Sequence, residues 1–182
     1  MAVGSSSPLR TTLLVIVCIV AVEVLGAGSA RIAGPTGLNP WYQALVKPAH
    51  QPPGMWFGLA WAGLYAAIGA AAGLVLAAGP GRGKALALGL FLFQLAMNLT
   101  WSPLFFRAHR MLDAFWLLSA VFLVSALVAW RFWVIRPMAG ALILPYLVWL
   151  MFAGLLNWQI VQLNLDGGPA ISIGAEAAIP PQ

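Results

Sequence analysis

Apolar residues are grouped along this chain in long blocks, separated by short stretches that carry most of the charges, prolines and glycines. Each block has about 20 residues or more, so as a helix it can cross a hydrocarbon core of about 30 Å. Backbone groups in lipid must be satisfied within the segment, which predicts helices and not strands. The predicted spans cover residues 9–30, 56–78, 85–106, 111–132 and 138–163.

The connections between the predicted spans are unequal in length. Most are tight turns marked by Gly, Pro or Arg, but residues 31–53 form a long loop between the first and second spans. Pro48, Pro52 and Pro53 stiffen this loop because proline fixes φ, and we predict that it folds as a lid over the bundle. Residues 1–164 are predicted to form one five-helix transmembrane domain, and residues 165–182 a flexible C-terminal tail.

Composition supports an all-α membrane protein with several spans. The chain is 62% hydrophobic and 7% charged, whereas a soluble domain has about 25% charged residues. The net charge of +5 comes from Lys and Arg scattered between the apolar blocks. This is the placement that a bilayer favours, so a nucleic-acid partner is not expected. The membrane in which the protein resides is left open.

The first span has a competing interpretation as a signal peptide. Arg10 precedes a short apolar run over residues 13–22, and Gly28 and Ala30 have the small side chains of a cleavage site. However, Glu23 follows the run, and the small residues around Gly26 also suit close packing between helices. Both interpretations are consistent with the residues alone.

Polar and aromatic side chains form stripes on three predicted spans. Trp61 and Tyr65 are four residues apart and share a helix face. An amide in hydrocarbon is costly unless it is paired, so the stripes should face the bundle interior. The amides either join neighbouring helices or help to line a cavity for a flat, partly polar ligand. The other stripes are Gln94, Asn98, Trp101 and Phe105 in the third span, and Trp149, Ala153, Asn157 and Asn164 in the fifth.

The spans lack the residue sets typical of catalysis or metal binding. They contain no Ser-His-Asp set, Cys cluster or carboxylate pair, and His50 and His109 fall in predicted loops. No catalytic residue, metal site or required cofactor is therefore predicted, and enzymatic activity is left uncertain. Glu23 is the single acid well inside a span. Such a residue is a functional candidate by default, but Glu23 lies about two turns from Arg31, and a structural role, in which it reaches the interface or pairs with a loop base, is favoured.

Blocks of sequence in residues 41–164 occur in the order and spacing of a known family. They are WYQALVKPAHQPP from Trp41, W..LY from Trp61, N..WSPLFF from Asn98 and PYLVWLMFAGLLN from Pro145. Together they resemble the TspO family of tryptophan-rich sensory proteins, which is related to the mitochondrial translocator protein or peripheral benzodiazepine receptor. The first span matches helix one of that family by position, which favours a retained span over a signal peptide.

The resemblance implies five packed helices, commonly in a homodimer, with the long loop closing a pocket for porphyrins such as protoporphyrin IX and for benzodiazepine-type drugs. A membrane sensor or regulator of porphyrin or stress responses is the implied function. The alternatives are a transporter of porphyrins or lipids, and an enzyme that degrades porphyrin in light. Porphyrin, membrane lipids and a second copy of the chain are the implied partners. Carried over by motif, the ligand-binding residues are Trp41, Tyr42, Trp61, Tyr65, Asn98, Trp101, Trp149, Ala153 and Asn157.

The sequence departs from the family pattern in three places. His50 occupies a position before the double proline where an aromatic residue is usual, which either weakens stacking or supplies a titratable group. Residues 57–60 contain no proline, so a straighter second helix is expected. The segment LLNWQIVQLN lacks the Tyr and Arg of the animal sterol motif, which argues against specific sterol recognition.

Overall fold

A computed structural model describes residues 7–81 and 83–165 of the chain. Five of its helical segments are long and apolar enough to cross a membrane, which confirms the predicted five-helix membrane bundle. Most of the predicted tail, residues 166–182, lies outside the described residues. The α-helices are α1 (Pro8–Ala33), α2 (Pro40–Ala44), α3 (Gly54–Ala77), α4 (Lys84–Ser102), α5 (Met111–Ile135), α6 (Pro137–Ala141) and α7 (Leu144–Asn164).

Prolines explain where the helices depart from the predicted spans. The third span is α-helical only to Ser102 and continues as a π-helical turn, Pro103–Arg107. The fifth span is two helices, α6 and α7, because Pro145 in the first turn of α7 has no N–H to offer the carbonyl of Ala141. By contrast, α3 runs without interruption, in agreement with the absence of a proline before Trp61.

Close contact between α1 and α3 depends on glycine. A methyl group added at Gly73 would lie 2.5 Å from Val15 Cα, and one added at Gly69 would lie 2.8 Å from Ile19 Cα. Farther along α1, a methyl group at Gly26 would overlap the ring of Tyr65. Small residues let helix backbones approach closely and gain dispersion energy where lipid gives no hydrophobic drive.

One hydroxyl fixes α1 against the third span. Pro103 has no N–H, so the carbonyl of Leu99, four residues earlier, loses its α-helical partner. The buried Ser29 hydroxyl of α1 donates to that carbonyl. An unpaired carbonyl at this depth would cost free energy, and the bond therefore joins the two spans at the point where the regular helix ends.

Basic side chains satisfy carbonyls at the helix C-termini. Lys84 Nζ donates to the carbonyls of Leu76 and Ala78, at the C-terminus of α3, at 2.8 and 2.6 Å. At the other end of the bundle, Arg107 donates to the carbonyl of Ile32 in the last turn of α1 at 3.4 Å. Cations are favourable at these helix ends, which carry partial negative charge.

Gly73→Ala should destabilise the bundle because its methyl group cannot fit against Val15 without moving α1. We expect a loss of about 1–3 kcal/mol in the free energy of unfolding, as for other overpacked contacts. The matched control is Gly63→Ala on the same helix, where the added methyl has no atom within 4 Å. That control should be neutral or more stable by up to about 1 kcal/mol. Thermal unfolding in detergent measures both, and equal melting temperatures would contradict this account of the contact.

Candidate functional site

A cavity of about 530 Å³ lies between the spans and the loop that joins α1 to α3. Residues 34–53 of that loop are called the lid below. The walls come from α1, the lid, α3, the third span, α5 and α7, and much of the surface is aromatic. The aromatic side chains that line the cavity are Tyr42, Phe57, Trp61, Tyr65, Trp101, Phe105 and Phe106.

Aromatic pairs from two different spans form much of the wall. On α3, the rings of Trp61 and Tyr65 have centroids 5.3 Å apart with a 40° tilt. In the third span, Trp101 and Phe105 stack at 5.3 Å and 20°. Both separations fall within the range of favourable aromatic contacts. The broad faces of these aromatic rings are suited to a flat ligand.

The lid is fixed to the bundle at two separated points. The Asn39 side chain accepts from Tyr42 N at 3.1 Å and donates to the carbonyl of Phe106 at 2.8 Å. Toward its other end, Val46 exchanges two hydrogen bonds with the side chain of Asn164, each of 3.0 Å. Asn164 is fully buried at the end of α7. Its side-chain amide pairs with both the N–H and the carbonyl of Val46, as the backbone of a neighbouring β-strand would.

Tyr42 carries the lid's aromatic contribution into the cavity. Gln51 Nε2 donates to its hydroxyl at 2.6 Å, and Lys47 Nζ lies 4.7 Å from its ring centroid, within cation–π range. Burial raises the pKa of Tyr42, while the bond from Gln51 lowers it. Burial also lowers the pKa of the Lys47 ammonium. Tyr42 thus remains a neutral hydrogen-bonding phenol at physiological pH.

The predicted asparagines both join helices. Asn98 accepts from the Tyr65 hydroxyl at 2.8 Å and donates to the Tyr146 hydroxyl at 2.8 Å. Asn157 accepts from Trp101 Nε1 at 3.2 Å and donates to the carbonyl of Met111 at 3.0 Å. The Trp101 N–H and both amides are therefore occupied within the protein, although the Asn157 side chain also borders the cavity.

The structure brings most of the sequence-predicted ligand-binding residues to one cavity, and three of them lie behind its wall. Trp41 stacks on His109 at 4.2 Å and meets Phe105 edge-on at 5.6 Å. Trp149 packs edge-on to Trp61 at 6.3 Å, and its buried Nε1 has no hydrogen-bond partner. The residues that line the cavity are Tyr42, Trp61, Tyr65, Trp101, Ala153 and Asn157, and those behind its wall are Trp41, Asn98 and Trp149. Their roles in ligand binding remain predictions.

Sequence reasoning missed the face of α1 that lines the cavity. Glu23, Gly26, Ala27 and Ala30 all contribute to the wall, and their spacing of three or four residues is that of one helix face. The same small residues had indicated helix packing. That interpretation holds at Gly26, where Tyr65 is in contact, but nearer the lid the face borders open space.

The cavity has the chemistry of a binding site for an apolar ligand. Its ionisable lining groups are Glu23, Tyr42 and Tyr65, and no Lys, Arg or His belongs to the lining among the described residues. Residues 7–81 and 83–165 contain no cluster of three His, Cys, Asp or Glu that could hold a metal ion. Aromatic faces with a few polar groups are typical of sites for small organic molecules.

These observations define a class of protein: a multi-pass integral membrane protein whose five spans enclose an aromatic cavity beneath a fixed lid. The sequence profile of the TspO/MBR family matches residues 14–163, which is most of the chain. The chain therefore belongs to the TspO/MBR family, as its sequence blocks had indicated.

Relatives of known name support this assignment. The translocator protein of Ovis aries is 39% identical over 128 residues, covering 68% of this chain and 75% of the relative. The tryptophan-rich sensory protein of Cereibacter sphaeroides is 39% identical over 125 residues, covering 68% and 77%. Protein CrtK of Rhodobacter capsulatus is 32% identical over 137 residues, covering 72% and 86%.

Asn164→Leu should release one end of the lid, because Val46 loses both of its hydrogen bonds to the side chain. Each bond contributes about 0.5–1.5 kcal/mol, so the Val46 amide should exchange about ten- to a hundredfold faster with deuterium. Protease cleavage within residues 45–53 should rise in parallel. Gln162→Leu, an exposed position on the same helix, is the control. Unchanged exchange in Asn164→Leu would show that the lid is held elsewhere.

Proposed function

We propose that this protein binds a planar tetrapyrrole of the protoporphyrin IX type in the cavity and acts as a membrane sensor or regulator. The observation that carries the proposal is the convergence of the Trp61–Tyr65 and Trp101–Phe105 pairs, from different spans, on one cavity. Indole and phenol rings give a macrocycle extensive flat contact at low entropic cost. A volume of about 530 Å³ lies within the range of about 300–1,000 Å³ for small-molecule sites.

Polar groups near the lid suit the acidic groups of such a ligand. Thr36 and Ser102 line the cavity there, and their hydroxyls can donate to carboxylate oxygens. The deeper wall offers mainly rings, glycine and alanine. A macrocycle with its carboxylates toward the lid places its apolar body against these rings and small residues.

The lid can transmit the presence of a bound ligand to the membrane surface. A ligand that contacts Tyr42 also acts on Gln51, which is bonded to the Tyr42 hydroxyl at 2.6 Å, and through the lid on its attachment to Asn164. Occupancy can therefore change the order of an exposed segment, which is how a regulator presents its state to a partner. One relative is named a sensory protein, in keeping with this role.

Transport of the ligand is a second candidate, favoured by the gap between α1 and α3. Ala27 and Ala30 on α1, and Gly58 and Ala62 on α3, line the cavity yet remain exposed. No bulky side chain from these positions closes the gap. A ligand can thus exchange with the bilayer sideways, which a transporter of porphyrins or lipids requires.

Binding is tested by titrating protoporphyrin IX into the purified protein and following tryptophan fluorescence. Ala153→Leu adds bulk to the cavity wall. The affinity for protoporphyrin IX, measured from saturable quenching, should fall about tenfold or more, as expected for steric clashes of about 1–3 kcal/mol. Gly154→Leu is the matched control, since a Cβ atom added there meets no atom within 4 Å and position 154 does not line the cavity. Equal effects of the two substitutions, or none, would refute the proposed site.

Two further measurements, of porphyrin degradation and of porphyrin flux between liposomes, distinguish a sensor from a transporter or an enzyme. A sensor should leave protoporphyrin IX chemically intact in darkness and in light, and should not move it between liposomes. Net flux that Ala153→Leu abolishes would favour the transporter. A light-dependent product formed from bound porphyrin would favour degradation.

A further inference from the structure

Glu23 is a carboxylate inside the cavity. It lies ten residues before the end of α1 at Ala33, about 15 Å along the helix axis at 1.5 Å per residue. It shares a helix face with Ala27 and Ala30, which line the same cavity. The carboxylate thus belongs to the inner part of the cavity, away from the lid.

No cation of the described chain neutralises Glu23. No Lys, Arg or His belongs to the described cavity lining, and in the described residues the Glu23 side chain has neither an ion pair nor a hydrogen bond. Asp113, the other described acid, is paired with Arg110 at an exposed position. Glu23 is half-buried, and a carboxylate at membrane depth is expensive without a counter-charge, so a ligand that brings a cation or an N–H donor to it would be favoured.

We propose that Glu23 forms an inner subsite that recognises a positively charged or N–H-bearing nitrogen on a flat aromatic ligand. This rests on the proposed function, since it assigns a polarity to the same cavity. The nearby rings of Trp61 and Tyr65 strengthen the preference, because aromatic faces also attract cations. Glu23 correspondingly repels carboxylates and directs an acidic ligand's charged groups toward the lid.

The charge distribution of the bundle supports this polarity. Arg31 is in the last turn of α1, Lys47 is in the lid, and Arg107 ends the π-helical turn. All three lie at the lid end of the bundle, whereas the inner lining carries one carboxylate and no described cation. These three cations do not line the cavity, but their positive field at the lid end would favour the acidic groups of a ligand there, while Glu23 would favour a basic nitrogen at the inner end.

Three planar probes of similar size and different charge test the subsite: cationic 9-aminoacridine, neutral anthracene and anionic anthracene-9-carboxylate. Affinities for the full chain are measured by tryptophan quenching in uncharged detergent at neutral pH. The wild-type protein should prefer the cation to the anion. Anthracene-9-carboxylate binding as tightly as 9-aminoacridine would overturn the proposal without any variant.

Glu23→Gln keeps the size of the side chain and removes its charge. It should weaken 9-aminoacridine binding about ten- to a hundredfold, the range expected for a charge-assisted hydrogen bond, tighten anthracene-9-carboxylate binding, and leave anthracene within about twofold. Glu23→Asp should retain the wild-type preference. Asp113→Asn, which removes the same charge outside the cavity, should change none of the three. An equal loss for all three probes in Glu23→Gln would assign Glu23 a packing role.

Protoporphyrin IX separates this inference from the proposed function. Suppose that protoporphyrin IX binds and Ala153→Leu weakens its binding, but Glu23→Gln leaves the relative affinities of the three probes unchanged. The inner subsite is then wrong and the tetrapyrrole site stands. If protoporphyrin IX does not bind, but 9-aminoacridine binds in a Glu23-dependent way, the proposed function is wrong and the inner subsite stands.

Discussion

Hydrogen bonding within the bilayer is the constraint on which this bundle depends. Water is not available at that depth, so a buried polar group that finds no partner inside the protein costs free energy. The Tyr146 hydroxyl on α7 accepts from Gln94 at 2.6 Å and from Asn98 at 2.8 Å, and Asn98 also accepts from Tyr65. These bonds set the distances between α3, α4 and α7. The cavity is the space that remains when the spans are held at those distances.

Helix periodicity was sufficient to predict part of the aromatic wall. Trp61 and Tyr65 are four residues apart, so any helix through them presents both rings on one face. The partners of Asn98 could not be predicted, because they depend on the rotation of neighbouring helices. The position of Trp149 could not be predicted for the same reason. Its ring packs behind Trp61 and does not face the cavity. Of the nine predicted residues, six line the cavity and three lie behind its wall, a difference in depth that helix periodicity does not predict.

Small residues on α1 have two opposite consequences that sequence alone does not separate. At Gly26 the missing side chain admits the ring of Tyr65, and contact results. At Ala27 and Ala30 no large side chain fills the space beside α1, and these residues line the cavity. The outcome depends on how α1 and α3 diverge from their close contact at Gly69 and Gly73. That divergence belongs to the assembled bundle, which explains why Glu23 was recognised as unusual but not placed in the cavity.

The π-helical turn at Pro103–Arg107 ends the third span. Its wider winding shifts the register of the side chains within it relative to the regular helix before it. Phe105 and Phe106, adjacent in sequence, therefore both border the cavity, while Gln94 and Asn98 keep their buried positions. The mouth of the cavity can accordingly be remodelled by changes within a few residues, without disturbing the polar core beneath. A bundle of this design can diversify what it admits while its interior stays unaltered.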